Sequence, residues 1–577
     1  MSKQAALYLT TLCTAALLMR LAGVVEAQLT EAVVRDYLWP SSPSVFEAAA
    51  ARVAADASLA RVSRTRMHEL EEWMRAGPIP LGGTPGSRGD VLDAFSVPAP
   101  GGRGIPVFVR IPSRYSPGRQ WPLLLAMHGG PPGSAEGAVR SARRMIDVWA
   151  APAEEAGWIV VSPAMVDVVS RDGRTQARLP YEIFHPEEAR AVVDAVRARY
   201  SVNPDRIVST GISLGSNFSI AYGAAHPDWL SAIVPVSTEG DSREHLLRNL
   251  APVPTYVLEG TQDQNIRSVG GPRSLARILA SFSNDLVYRE FSDRSHEGFQ
   301  EHYPDVLRWL DSRPRDLAPR EVLRIPHSGI VPTRRAVQWL ETDNRRAFVH
   351  ARVTGRTRVE IDARWTTRIT LLLNDALVDL DQPLVVRVNG EVAFRGHVER
   401  SLRVALEEAR RLGDERRVYA ARLTLRVPTS PASVRHARDA WLALTPTQAE
   451  GELSFWEMYA VRALEERVPS VAFDGVEQPL PAAASAPPEQ VAVRVTTVEA
   501  EGAASRAGLV AGDLLLTFGG EPFFEGRGGV QGLRHWLMRE LRETAKAYEL
   551  VVWREGRLVT LTAAYALGPY VLPPAAP

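Results

Sequence analysis

Hydrophobic and polar positions change their spacing several times along the chain. Residues 28–94 are rich in Ala, Leu, Met and Glu, and they predict a helical N-terminal extension. Over residues 95–315, short runs of apolar and β-branched residues alternate with helical segments. Strands that are apolar throughout indicate a doubly wound, mostly parallel sheet buried on both faces. The strand-like runs are 107–111, 122–127, 158–161, 207–210, 232–236 and 255–258.

The pattern changes again beyond residue 320. Strand-like runs dominate residues 320–470, and Asn389-Gly390 between two of them is a strong hairpin signal, so a mostly β accessory domain is predicted. Residues 477–490 contain four prolines among small residues and predict a flexible linker. The stretch 491–566 predicts a small α+β module. The fold class expected is therefore α/β, followed by a mostly β domain and a small α+β domain.

Composition narrows the class of protein. With 45% hydrophobic and 23% charged residues, the chain has the make-up of a folded globular protein rather than a disordered or polytopic membrane protein. Its 67 basic and 67 acidic residues balance, whereas a protein that grips nucleic acid through the phosphates normally carries a basic excess. We therefore expect no nucleic-acid partner.

Residues 1–27 have the features of an export signal peptide. The segment starts with a positive charge, residues 5–19 are mostly apolar, and Val-Glu-Ala at 25–27 fits a cleavage site. The apolar run is too short to cross a bilayer, so no permanent membrane span is expected. Cys13, the single cysteine, lies in this segment. We expect a periplasmic or extracellular mature protein without disulfides.

The sharpest chemical motif is Gly-x-Ser-x-Gly at Gly211-Ile212-Ser213-Leu214-Gly215. It follows the strand 207–210 and precedes a helical run at 216–225, which is the context of a nucleophile elbow. An ordinary Gly/Ser-rich turn is the alternative, but the position in an alternating sheet favours the elbow. We expect Ser213 to be the nucleophile.

An oxyanion hole is expected next to this serine. The residue after the nucleophile, Leu214, supplies one backbone N–H, and the loop after the strand 122–127 supplies the other. That loop reads His128-Gly129-Gly130 and continues into two prolines, which have no N–H to donate. Gly130 is the favoured donor and Gly129 the alternative. His128 is interpreted as a structural loop residue and not as a base.

A serine hydroxyl needs a base, and the base needs a group that orients it. In this architecture the acid and then the histidine follow the serine along the chain. Asp263 lies in the loop after the strand 255–258 and is preferred over Glu259, which lies at the strand end. His296, in a loop before the last helix of the region, is preferred over His302. Asp263 would fix the tautomer of the imidazole, which would take the Ser213 proton.

Together these motifs resemble the α/β-hydrolase superfamily, in particular its compact secreted esterase and prolyl-oligopeptidase-like branch. The resemblance covers residues 95–315, and the chain departs from the family pattern at Ser216-Asn217 and at Glu259. The matching motifs are His128-Gly129-Gly130, Asn203-Pro204-Asp205-Arg206-Ile207, Gly211-x-Ser213-x-Gly215, Gly260-x-x-Asp263 and Ser295-His296-Glu297.

The resemblance implies a serine hydrolase that works through an acyl-enzyme. A small-molecule carboxylic ester is the expected substrate, because fewer than 20 residues separate the strands ending at 236 and starting near 254, too few for a large lid. A peptidase of the prolyl-oligopeptidase type is one alternative. A non-catalytic binding or scaffold protein is the other.

The C-terminal module carries a second pattern. Tight turns at Ala507-Gly508-Leu509 and Gly512-Asp513 precede a strand, a helix is predicted at 529–541, and Glu555-Gly556 joins a hairpin. The pattern resembles a bacterial PDZ domain of the type found in exported proteases. The resemblance implies a peptide or protein ligand added as a strand, although the usual Gly-rich carboxylate loop is not evident near 489–495.

No cofactor or metal is expected. Asp375, Asp379 and Asp381 with Asn374 have the composition of a calcium loop, but their spacing favours turn residues. No zinc-ligand spacing and no phosphate-binding loop of the Gly-x-x-x-x-Gly-Lys type occurs in the sequence.

Overall fold

The first described helices each start at a polar side chain that caps them. In the computed structural model of the chain, α1 is Glu31–Leu38, α2 is Pro43–Ala55 and α3 is Arg64–Arg75. The side chains of Thr30, Ser42 and Ser63 each accept a hydrogen bond from a backbone N–H in the first turn. The structure describes residues 29–78, 91–98, 104–130, 135–165, 186–240, 247–267, 271–282, 285–325, 335–344, 347–444, 473–480, 490–524 and 546–565. The predicted signal peptide at 1–27 lies outside these residues.

Eight strands between residues 91 and 291 form one sheet in the order β1-β2-β4-β3-β5-β6-β7-β8. β2 pairs antiparallel with β1 and β4, and all other pairs are parallel. This is the α/β-hydrolase strand arrangement, so the predicted doubly wound, mostly parallel sheet is confirmed. The strands are β1 (Val91–Pro98), β2 (Gly104–Ile111), β3 (Trp121–Met127), β4 (Ile159–Pro163), β5 (Val202–Ile212), β6 (Ala232–Val236), β7 (Thr255–Gly260) and β8 (Leu286–Phe291).

Apolar side chains cover both faces of this sheet. Along β3, Leu123 and Leu125 belong to one buried cluster, whereas Leu124 and Ala126 belong to another. Because neighbouring residues of a strand point to opposite faces, a continuous apolar run serves two cores at once. The helices of this region are α4 (Ala135–Ala156), α5 (Pro186–Arg199), α6 (Leu214–Ala225), α7 (Pro272–Ala280) and α8 (Tyr303–Leu310).

Two smaller sheets follow, as the mostly β prediction requires. One has the order β16-β15-β13-β12-β9 and the other the order β10-β11-β14-β17. Asn389 and Gly390 have φ values of 50° and 81° between β15 and β16, which confirms the predicted hairpin turn. The elements are β9 (Glu321–Arg324), β10 (Ala336–Val337), β11 (Leu340–Thr342), β12 (Phe348–Thr354), β13 (Arg358–Arg364), β14 (Arg368–Leu373), β15 (Leu384–Val388), β16 (Glu391–Gly396), α9 (Leu402–Leu412), β17 (Ala421–Arg426) and α10 (Pro431–Leu444).

The C-terminal module is an antiparallel sheet in the order β18-β19-β21-β20-β22-β23. β18 takes in Glu477 to Pro479, the first residues of the predicted linker, because their backbone pairs with β19. Residues 481–489 and the predicted helix at 529–541 lie outside the described residues. The elements are β18 (Phe473–Pro479), β19 (Gln490–Val498), α11 (Ala503–Arg506), β20 (Leu514–Phe518), β21 (Glu521–Phe524), β22 (Lys546–Arg554) and β23 (Arg557–Tyr565).

The N-terminal helices form a compact unit with segments far along the chain, Leu372–Leu384 and Gly396–Leu423. Within it, the Arg410 guanidinium donates to the carbonyl of Tyr37 at 2.7 Å, and Arg403 donates to the carbonyl of Asp56 at 2.8 Å. The other described residues belong to a second unit. Among the described residues, none of the helices is both long enough and apolar enough to span a membrane.

Three aspartates of the first unit face two arginines. The guanidinium of Arg400, 7% exposed, donates to both carboxylate oxygens of Asp375 and to Asp381, and Arg64 lies 2.8–3.2 Å from Asp375, Asp379 and Asp381. The Asp379 side chain also accepts from the Asp381 N–H, which is the hydrogen bond of an Asx turn. The carboxylates thus have cationic partners supplied by the chain itself.

Replacing Arg400 with Met is expected to destabilise this unit clearly more than the same change at Arg64, because it leaves three neighbouring carboxylates with one exposed arginine. The hydrogen bond from Arg400 lowers the pKa of Asp381. A lowered carboxyl pKa contributes stability above the ordinary aspartate value and loses it as the pH falls, so the difference should shrink below about pH 4.

Urea unfolding of the full chain at pH 7 and pH 3 measures both effects. Arg64→Met is the matched control, since the Arg64 side chain is 52% exposed and should cost less than about 1 kcal/mol. Equal effects of the two substitutions would contradict the prediction.

Candidate active site

Ser213 lies at the point where β5 ends and α6 begins. Its backbone has φ 55° and ψ −119°, a conformation that non-glycine residues rarely adopt. The backbone N–H of Ser213 donates to the carbonyl of Val236 at 3.0 Å, and its own carbonyl accepts from Ser216 and Asn217. The serine therefore lies on a sharp, fixed turn at the carboxyl edge of the sheet.

The two glycines of the motif are required by close backbone contacts. A Cβ at Gly211 would lie 2.3 Å from the carbonyl carbon of Gly215, and a Cβ at Gly215 would lie 2.2 Å from the carbonyl oxygen of Met127. Neither distance leaves room for a methyl group. Helix α6 therefore starts directly against the end of β3.

This contact brings the predicted oxyanion loop next to the serine. A Cβ at Gly129 would lie 3.3 Å from Ser213 Cβ. Gly130 follows with φ 134°, outside the range of ordinary L-residues. On the other side, Leu214 is the first residue of α6, so its N–H has no partner within the helix. Gly129 thus lies beside Ser213 across the contact with β3, Leu214 follows Ser213 in the chain, and Gly130 follows Gly129.

His128 holds the loop and is electrically neutral. Its Nε2 accepts from the backbone N–H of Met165 at 2.9 Å, so Nδ1 carries the proton and donates to the carbonyl of Gly129 at 2.8 Å. Burial lowers the pKa of His128. Since the C=O and the following N–H of a trans peptide point in opposite directions, fixing the Gly129 carbonyl also fixes the N–H of Gly130. The structural interpretation of His128 agrees with these contacts.

Asp263 and His296 meet at the same edge of the sheet. Asp263 follows β7, His296 follows β8, and Asp263 Oδ2 lies 2.6 Å from His296 Nδ1. The Asp263 side chain is fully buried, whereas that of His296 is 37% exposed. The buried carboxylate can therefore orient a ring whose other nitrogen remains accessible.

The two residues weighed as alternatives have other contacts. Glu259 is buried, and its Oε1 accepts from the backbone N–H of Thr238 at 2.7 Å. Burial raises the pKa of Glu259 to about 9, so it is protonated at neutral pH. The ring of His302 stacks on Phe291, with centroids 4.1 Å apart.

Ser213 and His296 do not hydrogen-bond to each other in the part of the chain that the structure describes. Serine–histidine contacts are often long in enzymes without substrate and tighten when the substrate binds. The placement of the loop that carries His296 therefore decides whether the two side chains can meet. The hydroxyl of Ser237 contacts this loop at the backbone of Glu297. It has no sequence signal, because a serine after a strand is common in any α/β protein.

No family model matches the chain. A stretch of 75 residues is 32% identical to the protein named "Putative esterase NocK" from Nocardia uniformis subsp. tsuyamanensis, over 13% of this chain and 22% of that protein. The matched stretch thus spans about a fifth of the length of NocK.

Solved structures with this fold include a thermostable esterase, with 21% identity, a TM-score of 0.31, and coverage of 39% of this chain and 63% of that one. An S-formylglutathione hydrolase from Agrobacterium tumefaciens is 13% identical, with a TM-score of 0.33 and coverage of 41% of this chain and 99% of that one. At such identities and TM-scores no activity is carried over. The strand order and the elbow themselves give residues 91–310 the α/β-hydrolase fold.

Replacing Gly215 with Ala is expected to destabilise the protein by several kcal/mol, above the ~1–3 kcal/mol of an ordinary overpacked site, because the new methyl group meets backbone that cannot move aside. Gly223→Ala in the same helix is the control. A Cβ there meets only side-chain ends, the nearest being Leu250 Cδ2 at 2.8 Å. Thermal unfolding of both variants tests the prediction, and similar melting temperatures would refute it.

Replacing Glu259 with Gln is expected to stabilise the protein more at pH 8 than at pH 5. The raised pKa keeps the Glu259 carboxyl protonated in the folded chain, whereas the same carboxyl releases its proton above about pH 4.5 in the unfolded chain. The free energy of unfolding therefore falls as the pH rises from about 4.5 towards 9. The neutral amide removes this loss, and the gain at pH 8 over pH 5 should exceed about 1 kcal/mol.

Urea unfolding at the two pH values measures the difference. Glu290→Gln is the control, because its hydrogen bond from Arg273 lowers the pKa of Glu290 and places its titration below pH 5. A pH-independent effect of Glu259→Gln would show that this carboxyl is ionised in the folded protein.

Proposed function

We propose that this chain is an exported serine hydrolase that cleaves carboxylic esters through an acyl-enzyme. The observation that carries the proposal is the 2.6 Å contact between the buried Asp263 carboxylate and the His296 ring, at the same sheet edge as the strained serine. A carboxylate, an imidazole and a serine on parallel strands at one edge are the parts that nucleophilic acyl transfer needs.

In the proposed reaction, Ser213 Oγ attacks the carbonyl carbon of the substrate while Nε2 of His296 takes the hydroxyl proton. Asp263 accepts the hydrogen bond from Nδ1 and stabilises the imidazolium that forms. The C–O bond to the leaving group then breaks, and the alcohol leaves with the proton from His296. Water, activated by the same ring, hydrolyses the acyl-serine and restores the hydroxyl.

The backbone N–H groups of Gly130 and Leu214 are the proposed oxyanion donors. The contact of His128 with the Gly129 carbonyl supports Gly130 over Gly129, because it fixes the direction of the Gly130 N–H. Each such donor contributes about 3 kcal/mol of transition-state stabilisation. No metal or cofactor has a part in this mechanism.

The proposed preference for esters rests on the short connection between β6 and β7. Strand β6 ends at Val236 and β7 starts at Thr255, which leaves too few residues for a large lid. Export rests on the sequence of residues 1–27, and the predicted PDZ domain on the turns of the module described above. Such a domain would bind a peptide or protein ligand, which is the feature that favours a peptidase as second candidate.

Ser213→Ala and His296→Ala are each expected to lower kcat by about 10⁴- to 10⁶-fold on a short p-nitrophenyl ester, with little change in KM. His302→Ala is the matched control for the histidine and should retain activity within about threefold, since its ring stacks on Phe291 outside the proposed machinery. Labelling by a fluorophosphonate should map to Ser213.

The outcomes separate the candidates. Hydrolysis of p-nitrophenyl esters without cleavage of peptide amides supports the esterase, and the reverse pattern supports the peptidase. A folded parent protein that neither turns over any ester or peptide nor reacts with the fluorophosphonate would refute catalysis and leave the binding-protein reading.

A further inference from the structure

The hydroxyl of Ser237 binds the residue that follows the proposed catalytic histidine. Ser237 lies directly after β6, and its Oγ donates to the backbone carbonyl of Glu297 at 2.7 Å and accepts from the backbone N–H of Glu297 at 3.1 Å. Sixty residues separate the two in sequence. One side chain thus holds both backbone groups of the residue bonded to His296.

The residue next to Ser237 contacts the other two elements of the site. The N–H of Thr238 donates to Glu259 at the end of β7, and its hydroxyl donates to Oδ1 of Asn217 at 2.9 Å. Asn217 lies in the first turn of α6, four residues after Ser213. Two consecutive residues after β6 therefore connect the elements that carry the serine, the aspartate and the histidine.

The backbone of Ser237 is itself fixed in an unfavourable conformation. It has φ 44°, and its N–H donates to the carbonyl of Leu258 at 2.9 Å. A left-handed backbone is strained in a residue that is not glycine. A glycine would avoid this strain but would lose the hydroxyl, so the position combines backbone strain with a specific pair of hydrogen bonds.

The loop that carries His296 is also held from the side of β7. The N–H of Gln262 donates to the carbonyl of Arg294 at 2.8 Å, and Asp263 contacts the His296 ring. The ring is 37% exposed, and the ion pairs between Arg294, Glu297 and Glu301 have side chains that are 35–50% exposed. Exposed ion pairs are screened and contribute little. Ser237 is fully buried, and its hydroxyl holds the loop at Glu297 from the side of β6.

We propose that Ser237 is a positioning residue that holds the His296 loop so that the imidazole can reach Ser213. This inference rests on the proposed serine hydrolase function. Ser237 does not touch the substrate. It acts through the peptide group between His296 and Glu297, and so it should affect the chemical step and not substrate binding.

Ser237→Ala and Ser237→Gly test the inference in the full chain. Both remove the hydroxyl, and glycine in addition accepts the positive φ without strain, so it carries the test if the alanine variant folds poorly. The control is Ser219→Ala, which removes an equally buried hydroxyl bonded to Ser209 and to the Gly215 carbonyl. We expect both Ser237 variants to lower kcat by about 10- to 100-fold with KM within twofold, and Ser219→Ala to change kcat by less than threefold.

The rate of fluorophosphonate labelling should fall by the same factor as kcat, while the melting temperatures of Ser237→Gly and Ser219→Ala stay alike. Parent-like kcat and labelling in Ser237→Gly would overturn the positioning role while leaving the serine hydrolase intact. A rise in KM equal to the fall in kcat/KM would also overturn it. Absence of labelling in the parent protein would instead refute the proposed function itself.

Discussion

The candidate site depends on one steric constraint. The start of α6 packs directly against the backbone at the end of β3, and only a glycine fits at this contact. At Gly215 the backbone lies so close to the Met127 carbonyl that a Cβ would stand 2.2 Å from its oxygen. This contact places the loop of His128 beside Ser213. The parallel strands on the other side of β5 then end at the same edge, and the loops after β7 and β8 carry Asp263 and His296 there.

Four described non-glycine residues with a left-handed backbone lie at that edge. Ser213, Ser237, Asp293 and Phe299 all have φ between 44° and 59°, and all lie in loops at the carboxyl ends of β5, β6 and β8. Such conformations persist where the surrounding structure over-determines them. Here the two apolar clusters that cover the sheet supply the rigid support, and Phe299 itself is buried in one of them.

The sheet and its site residues could be predicted because their signals are local. An apolar run predicts a strand, and Gly-x-Ser-x-Gly between a strand and a helix predicts the elbow. The hydrogen bonds between the Ser237 hydroxyl and the Glu297 backbone could not be predicted, because they join a side chain to the backbone of a loop sixty residues away. The association of the N-terminal helices with later segments could not be predicted for the same reason. Arg64 and Asp379, which contact each other in this unit, are 315 residues apart. The flexible linker predicted from proline content was wrong at Glu477 to Pro479, because the backbone of these residues pairs with β19.

Two carboxyl groups lie close to the end of β7, and they differ in their contacts. Glu259 belongs to the strand, and Asp263 lies in the loop that follows. Glu259 and Asp263 are both buried, and Asp263 adds to the effect of burial in raising the pKa of Glu259. Glu259 accepts a hydrogen bond from the Thr238 N–H but has no cationic partner among its described contacts, and burial keeps it protonated with a pKa of about 9. Asp263 contacts an imidazole that can accept a proton. A neutral Glu259 can therefore hold the β6 loop through Thr238 without adding a negative charge to this corner.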